Sequence, residues 1–441
     1  VYGHLLDQFW SPLTNDLTGP YGADTLENRL RFPLDVLAAI RKRVGDEFIV
    51  GFRYTADEAQ KGGITPQEGI EISKTLAATG QLDFLNVIRG RIHTDPAMTD
   101  VIPVQGMPSA PHLDFAGAVR KATGMPTFHA ARIPDVATAR HAVQSGQLDM
   151  VGMTRAHMAD PHIVKKIMEG REEDIRPCVG ATYCLDRIYQ AGDALCIHNA
   201  ATGRELSMPH QIDPAPVARK VVIIGAGPAG LEAARVAAER GHDVVVFEAQ
   251  PEPGGQIRLT AQNPRRREMI GIIDWRMAQC AARDVVFHFN TWAEVEDVRA
   301  EKPDVVIVAT GGLPNLELFE TGREADHVIS AWDIISGDVK PAGDVLIYDE
   351  SGDHPALQAA EVAAAAGLKV EIMTPDRTFS PEVMAMNLVP YMRSLQDKDV
   401  VFTVTRRLKG VDRRGNKLTA TIGTDYSDHT ETRDYDQIVV N

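Results

Sequence analysis

Apolar positions between residues 25 and 170 follow two alternating patterns. Short apolar runs alternate with longer stretches in which apolar residues recur every three or four positions, as on one face of a helix. The runs predict strands at 48–53, 84–88, 126–129 and 150–153, and the stretches predict helices at 66–79, 112–122, 135–146 and 161–169. This alternation is typical of βα units that build a parallel sheet.

The number of βα units limits the architecture of this segment. Four units amount to half of an eight-stranded (β/α) barrel, which takes about 250 residues. An open half barrel would leave strand edges unpaired. We therefore expect residues 1–175 to be the C-terminal half of a TIM-type (β/α)8 barrel whose first half lies outside this sequence.

The alternation breaks after the barrel segment and then begins again twice. Residues 176–217 lose the periodicity and end in Pro-Ala-Pro, which is typical of a loop and linker, whereas residues 218–325 and 326–441 each contain a βαβ unit. The predicted elements are strands at 220–224, 243–247 and 304–309 with a helix at 228–240, then strands at 344–348, 369–373 and 438–441 with a helix at 356–367. We expect an α/β chain: a half barrel, a dinucleotide-binding domain, and a second dinucleotide-type domain inserted into it.

Composition and charge exclude some classes of partner. The chain has 441 residues, 44% of them apolar, which is enough for several cores. Its formal net charge of −15 opposes binding to nucleic acid, because no surplus of basic side chains can displace counterions from phosphates. No apolar run reaches the roughly 20 residues that a membrane span needs, and the first residues lack the order of a signal peptide. We therefore expect a cytoplasmic protein.

A glycine turn follows the strand at 220–224. Gly225 would allow the tight turn, Gly227 the close approach of a pyrophosphate, and Gly230 the packing of helix on strand. Glu248 ends the next strand, where it would accept a hydrogen bond from a ribose hydroxyl. The constellation predicts a dinucleotide site. The alternative is a glycine turn in an unliganded α/β domain.

The second βαβ unit lacks this fingerprint. Its turn, at 349–353, contains Asp349, Glu350 and Asp353, whose charges would repel a pyrophosphate. The sequence therefore disfavours NAD(P)H binding there, and we interpret the unit as a degenerate dinucleotide domain.

Three of the four cysteines, Cys178, Cys184 and Cys196, lie between the barrel segment and the glycine turn. So few cysteines do not make a disulfide framework, and three crowded thiolates leave an iron–sulfur cluster and a zinc site open. The alternative is that the thiols are only buried side chains.

The chain resembles a known family along nearly its whole length. The supporting motifs are Leu5-Leu6-Asp7-Gln8-Phe9, Tyr21-Gly22 with Leu26-Glu27-Asn28-Arg29, Ala159-Asp160-Pro161, Asp174-Ile175-Arg176-Pro177-Cys178, and glycine-rich turns at 253–256 and 309–312. They resemble the trimethylamine dehydrogenase and 2,4-dienoyl-CoA reductase group of the Old Yellow Enzyme class, and within it the demethylases of N-methyl amino acids. The resemblance implies an FMN barrel, a 4Fe-4S loop and two dinucleotide-type domains.

The resemblance also implies roles for single residues. Arg53 matches the arginine beside the pyrimidine side of FMN, where positive charge stabilises reduced flavin. Arg132 and Arg155 match phosphate-binding positions, although Ala131 replaces the family's glycine. Gln256 lies in a further turn of an FAD-like slot, which would hold FAD or ADP.

The family's four-cysteine pattern is incomplete, because Ala181 stands where one cysteine is expected. The three remaining thiolates would hold either a 4Fe-4S cluster with a substitute ligand or a 3Fe-4S cluster. The candidate substitutes are Tyr183, Asp186 and His198.

Substrate residues depart further from the family. Tyr2 and His4 occupy the place of a His-x-Tyr motif with the two residue types exchanged, and we expect Tyr2 to orient or deprotonate an amine. His4, His93 and Asn86 are further candidates. Ile188 replaces an aromatic residue that would hold an ammonium group, so trimethylamine itself is disfavoured.

These assignments favour oxidative N-demethylation of a small methylated amine, such as dimethylglycine or N-methylproline, with Arg89 or Arg91 available for its carboxylate. Electrons would pass from FMN through the cluster to an electron-transferring flavoprotein or a partner redox subunit, and we expect an oligomer. One alternative is an NAD(P)H-dependent dienoyl or enoyl thioester reductase. Another is an electron-transfer subunit with an inactive barrel.

Overall fold

The computed structural model describes residues 2–316 and 328–441. The chain divides into two compact units, one ending at Glu172 and the other beginning at Glu173. None of the helices in the described ranges is long and apolar enough to cross a membrane.

The first unit is a parallel four-stranded sheet with helices packed against it. The sheet order is β1-β2-β3-β4. The strands are β1 Gly51–Asp57, β2 Phe84–Arg89, β3 Thr127–His129 and β4 Met150–Val151; the helices are α1 Leu5–Trp10, α2 Leu26–Val44, α3 Pro66–Ala78, α4 Asp95–Val101, α5 Leu113–Thr123, α6 Val136–Gln144, α7 Thr154–Ala159 and α8 Ile163–Met168, with a short 3-10 turn at Gly19–Tyr21. Phe52 and Tyr54 of β1 pack with apolar residues of α2, α3 and α5, so the core lies between the sheet and these helices.

The first strand lies further along the chain than the apolar run at 48–53 predicts. Phe48 and Ile49 are 61% and 72% exposed, and β1 continues through the more polar residues to Asp57. The predicted strand is therefore wrong at its start, where the apolar residues are not buried. Backbone pairing with β2 extends the strand to Asp57. The predictions of the second strand and of the helices around it differ from the structure by a few residues.

The second unit contains three sheets in its described residues. Its elements are α9 Tyr183–Tyr189, β5 Lys220–Ile224, α10 Pro228–Glu239, β6 Asp243–Phe247, α11 Gln256–Gln262, a 3-10 helix Pro264–Ile270, α12 Gly271–Ala281, β7 Val286–His288, α13 Val295–Ala300, β8 Val305–Val308, β9 Val328–Ser330, α14 Ala331–Ser336, β10 Asp344–Tyr348, α15 His354–Ala365, β11 Lys369–Met373, α16 Ala385–Gln396, β12 Val401–Thr403, β13 Arg407–Arg414, β14 Lys417–Gly423, β15 Glu431–Tyr435 and β16 Gln437–Val440.

The glycine-turn module has the parallel order β7-β6-β5-β8, with α10 packed on the central strands. Both predicted strands of its βαβ unit, at 220–224 and 243–247, are confirmed. Burial explains why the apolar runs are clear, since Val221 and Ile223 are buried on one face of the sheet and Val222 is buried on the other.

The second module has the parallel order β12-β11-β10-β16-β9 and a separate antiparallel sheet β13-β14-β15. Its three predicted strands are confirmed, and β16 inserts between β10 and β9. The antiparallel sheet was not predicted, because Arg407–Arg414 carries charged side chains along an exposed face and has few apolar residues. The expectation of parallel α/β modules is confirmed.

Candidate functional site

Arg53 lies on the face of the first sheet opposite the core. Its neighbours Phe52 and Tyr54 are buried against the helices, so alternation along the strand directs Arg53 the other way. Its Nη2 donates a hydrogen bond to the Tyr2 hydroxyl over 3.1 Å, and the guanidinium carbon lies 5.7 Å from the centre of the Tyr2 ring. The structure thus joins a predicted flavin-binding residue to a predicted catalytic one.

Asn86 pairs with Arg53 in the register of β1 and β2. Its Oδ1 is buried, and no described residue donates a hydrogen bond to it. Nearby, Thr55 Oγ1 accepts from Tyr2 N over 3.1 Å and donates to Asp7 Oδ2 over 3.2 Å. The pyrimidine side of FMN carries both an N–H group and carbonyl oxygens, so an unpaired amide oxygen beside a guanidinium fits it.

Arg132 and Arg155 follow β3 and β4, and both donate to carbonyl groups of one loop. Arg132 Nε donates to Met107 O over 2.7 Å, and Arg155 Nη2 donates to Pro103 O over 2.9 Å. Arg132 has a φ of 48°, in the left-handed region that costs a non-glycine residue roughly 1–2 kcal/mol. Such strain is typical of ligand-binding segments. Phosphate binding at these strand ends stays a prediction.

The two histidines predicted as catalytic are exposed. His4 precedes α1 as its N-cap residue, but its side chain forms no capping hydrogen bond. His93 lies in the loop after β2. The structure therefore does not connect either imidazole with the contact between Tyr2 and Arg53.

A buried histidine that the sequence did not single out ends β3. His129 is 2% exposed, and its Nδ1 donates to Val87 O over 2.7 Å. Its Nε2 is buried without a partner among the described residues. Burial lowers the pKa of His129 to about 4, so the ring is neutral at pH 7.

Two buried carboxylates at the end of β1 bind the arginines at the end of β2. Arg89 Nε donates to Asp57 Oδ2 over 2.6 Å, and Arg91 Nη1 donates to Glu58 Oε1 over 3.0 Å. Asp57 and Glu58 are 2% and 3% exposed. Sequence reasoning missed both, because acidic residues at a strand end more often face solvent.

The glycine turn has the geometry that a pyrophosphate site requires. Gly225 has a φ of 101°, and a Cβ there would lie 2.5 Å from the Ala309 carbonyl oxygen. A Cβ on Gly230 would lie 1.9 Å from the Gly225 carbonyl oxygen, so helix and turn are in direct contact. A Cβ on Gly227 would meet nothing within 4 Å, which leaves that side of the turn open.

Glu248 closes the same turn. Its carboxylate accepts from Ala226 N over 2.7 Å and from Gln250 N over 2.9 Å. The predicted acidic residue therefore lies beside the glycines, at the carboxyl ends of β5 and β6, as a ribose-binding residue should.

A cavity of about 500 Å³ lies at the carboxyl ends of the second module's strands. Gln256, which was predicted to bind a cofactor, lines this cavity, and its Nε2 donates to Gly312 O over 3.4 Å. Trp332 and Glu350 also line it. A cavity of this size suits a small molecule.

Cys178, Cys184 and Cys196 carry free thiols in one segment of the second unit. Cys196 Sγ accepts from His198 N over 3.4 Å; burial raises the pKa of the Cys196 thiol, and the Arg176 guanidinium opposes that rise. Across the described ranges, no three His, Cys, Asp or Glu side chains are arranged to hold a metal ion. The cluster thus stays a prediction from spacing and resemblance.

The candidate substitute ligands differ in their surroundings. Asp186 is 4% exposed and accepts from Thr182 Oγ1 over 3.1 Å, and burial raises its pKa to about 6. His198 Nδ1 donates to Pro177 O over 2.9 Å, while its Nε2 is buried and has no described partner. Burial lowers the pKa of His198 to about 3. His198 therefore has an uncommitted nitrogen, whereas Asp186 is engaged.

Asn387 of α16 contacts the segment in which Ala181 replaces the expected cysteine. Its Nδ2 donates to Ala181 O over 2.8 Å and to Thr182 Oγ1 over 2.7 Å. Thr182 has a φ of 58°, which is unusual for a β-branched residue. The segment around Ala181 is thus tied to the second module.

The carboxylates in the acidic turn of the second module accept hydrogen bonds from N–H groups close to them. Asp349 is 1% exposed and accepts from Gly352 N over 2.9 Å and from Asn441 Nδ2 over 3.0 Å. Asp353 accepts from His354 N over 2.7 Å at the start of α15. A pyrophosphate would have to displace these carboxylates from the N–H groups that it needs.

Comparisons with known proteins agree with this geometry. The family model described as "NADH:flavin oxidoreductase / NADH oxidase family" matches residues 1–174, and that of an NAD(P)-binding Rossmann-like domain matches residues 223–276. The chain is 69% identical over 441 residues to a probable N-methylproline demethylase of Rhizobium meliloti (strain 1021), covering 100% of the chain and 65% of that protein. It is 42% identical over 447 residues to an N,N-dimethylglycine/sarcosine dehydrogenase of Chromohalobacter salexigens, covering 100% and 64%. The chain therefore spans less than two thirds of either relative.

Solved structures show the same fold. A 2-naphthoyl-CoA reductase complex superposes with a TM-score of 0.89 at 30% identity, over 100% of this chain and 65% of that one. Histamine dehydrogenase from Rhizobium sp. 4-9 superposes with a TM-score of 0.87 at 25% identity, over 99% and 64%.

Proposed function

Residues 1–174 match the NADH:flavin oxidoreductase / NADH oxidase family, and on this premise we propose that the whole protein oxidatively demethylates a small N-methyl amino acid. The observation that carries the proposal is the contact of Arg53 with Tyr2 on the open face of the sheet. It occurs in a chain 69% identical to a protein described as a probable N-methylproline demethylase.

The residues of the first unit have separate tasks in this proposal. Arg53 and Asn86 Oδ1 bind the pyrimidine side of FMN, and Arg132 with Arg155 binds its phosphate. Tyr2 orients the amine nitrogen and holds its proton, because its hydroxyl lies at the same guanidinium.

FMN bound there would accept the hydride equivalent lost from an N-methyl C–H bond. Water then adds to the resulting iminium carbon, and the C–N bond breaks to give formaldehyde and the demethylated amine. The balance is one water consumed, with two electrons and two protons released. Tyr2 takes part in the handling of protons and not in the redox change.

We assign the outward path of the electrons to the cysteine segment. Cys178, Cys184 and Cys196 would hold a 4Fe-4S or 3Fe-4S cluster, supported by the N–H group that His198 directs at Cys196 Sγ. A cluster passes single electrons, which suits an electron-transferring flavoprotein or a partner redox subunit as acceptor. The glycine turn would hold FAD or ADP.

The acidic turn favours this direction of electron flow over entry from NAD(P)H. Asp349 and Asp353 already accept N–H groups of their turn, so this turn is a poor anion site for a dinucleotide. Electrons then enter from the amine. The rival enoyl thioester reductase needs the opposite flow.

Anaerobic titration of the flavin-loaded enzyme tests the proposal. N-methylproline or dimethylglycine should bleach the flavin and yield stoichiometric formaldehyde, whereas NADH and NADPH should not bleach it. Rapid bleaching by NADH would establish the reductase instead. Bleaching by neither class of reagent would support an electron-transfer subunit with an inactive barrel.

A further inference from the structure

The two arginines after Asn86 on β2 are not equivalent partners for a substrate carboxylate. Arg91 forms a closed pair with Glu58, whose carboxylate also accepts from Ser11 Oγ over 2.8 Å and from Ile64 N over 2.9 Å. The side chains of Arg91 and Glu58 are 12% and 2% exposed. This pair is a structural link of the first unit, and its charges are already matched.

Arg89 is held differently. Its Nε donates to the buried Asp57, and its Nη1 lies 3.4 Å from His112 Nδ1. His112 Nε2 donates to Asp100 O over 3.0 Å, which assigns the ring proton to Nε2 and leaves Nδ1 as the acceptor. Burial also lowers the pKa of His112, so the neutral ring tolerates the guanidinium.

These two contacts orient the guanidinium without using all its donors. In the described ranges no group accepts from Arg89 Nη2, and the side chain is 37% exposed. A guanidinium has five N–H donors, and its planar fork matches a carboxylate. Arg89 is therefore a fixed cation with an open edge.

The position of Arg89 relative to Arg53 suits an amino acid. Arg53 pairs with Asn86, three residues before Arg89, which is about 10 Å along a strand at roughly 3.3 Å per residue. The ring of His112, which contacts Arg89, lies 6.3 Å from the ring of His129 at the end of β3. The two cations thus lie on adjacent strands, with Arg53 within β1 and Arg89 at the end of β2.

We propose that Arg89 binds the carboxylate of the N-methyl amino acid, with Asp57 and His112 as its positioning residues. The inference rests on the proposed function and deepens it, because it makes an α-carboxylate a requirement of the site. An amine of the same shape without the carboxylate should then be a poor substrate.

The test compares N-methylproline with N-methylpyrrolidine, which lacks only the carboxylate. Flavin reduction is followed by anaerobic stopped flow in the wild-type enzyme, in Arg89→Gln and in Arg140→Gln. Arg140 is the matched control, since it pairs with Glu172 at the surface of the same unit. Arg89→Gln should lower kcat/KM for N-methylproline by roughly 10- to 100-fold, mainly through KM, and leave that for N-methylpyrrolidine unchanged. Asp57→Asn should show a weaker form of the same selectivity.

Three other outcomes would overturn the inference. An equal loss of kcat/KM for both substrates in Arg89→Gln would assign Arg89 to the fold or to flavin binding. Unchanged kinetics of Arg89→Gln with both substrates would show that Arg89 does not bind the carboxylate. If neither amine reduces the wild-type flavin, the proposed function fails as well, which separates that result from a failure of Arg89 alone.

Discussion

The Arg53 guanidinium and the Tyr2 hydroxyl share a hydrogen bond of 3.1 Å on the open face of the first sheet. Arg53 forms no ion pair with a described residue, so its charge is available to an anionic ligand. The hydroxyl of Tyr2 is thereby held beside the place that we assign to flavin and amine.

Replacing the Tyr2 hydroxyl should slow chemistry and leave the fold intact. Tyr2→Phe keeps the ring over Arg53, so we expect the limiting rate of flavin reduction by N-methylproline to fall by about 100-fold. Tyr21→Phe is the matched control, because the exposed Tyr21 hydroxyl donates to Asp35 and not to Arg53. Stopped-flow rates measure both, and equal rates for Tyr2→Phe and the wild type would exclude a role in proton handling.

Two substitutions in the glycine turn should separate nucleotide binding from stability. Gly227→Ala places its methyl group in open space, so the variant should lose the bound nucleotide but keep the Tm of the nucleotide-free wild type. Gly230→Ala places its methyl group 1.9 Å from the Gly225 carbonyl oxygen and should destabilise the second unit by about 1–3 kcal/mol. Thermal unfolding and chromatography of released nucleotide measure these effects. Retention of nucleotide by Gly227→Ala would contradict the assignment.

Restoring the missing cysteine should change the cluster. In Ala181→Cys we expect more iron and acid-labile sulfide per chain, and the spin-resonance signal of a four-iron cluster, because a fourth thiolate becomes available. Cys280→Ser is the control, since Cys280 is buried in the core of the glycine-turn module. If the iron content does not change in Ala181→Cys and is retained in Cys184→Ala, these cysteines do not bind a cluster.

Acid should destabilise the first unit through His129. The unfolded ring binds its proton near pH 6.5 but the folded ring only near pH 4, so between these values the unfolded state binds more protons. Stability is therefore lost as the pH falls, by about 2 kcal/mol at pH 5. His129→Asn keeps a donor for Val87 O and should lose correspondingly less stability between pH 7 and pH 5 in urea unfolding.

The exposed His141 provides the comparison for this effect. His141→Gln should retain the wild-type pH dependence, because the ring lies on the surface of α6. A wild-type dependence in His129→Asn as well would show that other groups cause the acid sensitivity.

Local patterns in the sequence were sufficient for the parallel modules and for the glycine turn. Strands such as Lys220–Ile224 are continuous apolar runs, and the roles of Gly225, Gly227 and Gly230 depend on backbone geometry within a few residues. Such features are encoded locally, so periodicity and spacing identify them. The antiparallel strands were missed, because pairing between charged, half-exposed strands leaves little apolar periodicity.

The partners of the polar side chains were decided by the tertiary structure alone. Arg89 and Arg91 are two residues apart and chemically identical, yet one retains an open edge and the other is paired with buried Glu58. Spacing cannot separate them, because the carboxylates that engage them come from a different strand. The sequence by itself thus determined which residue types stand at the strand ends, and packing between strands decided which charges remain available for a ligand.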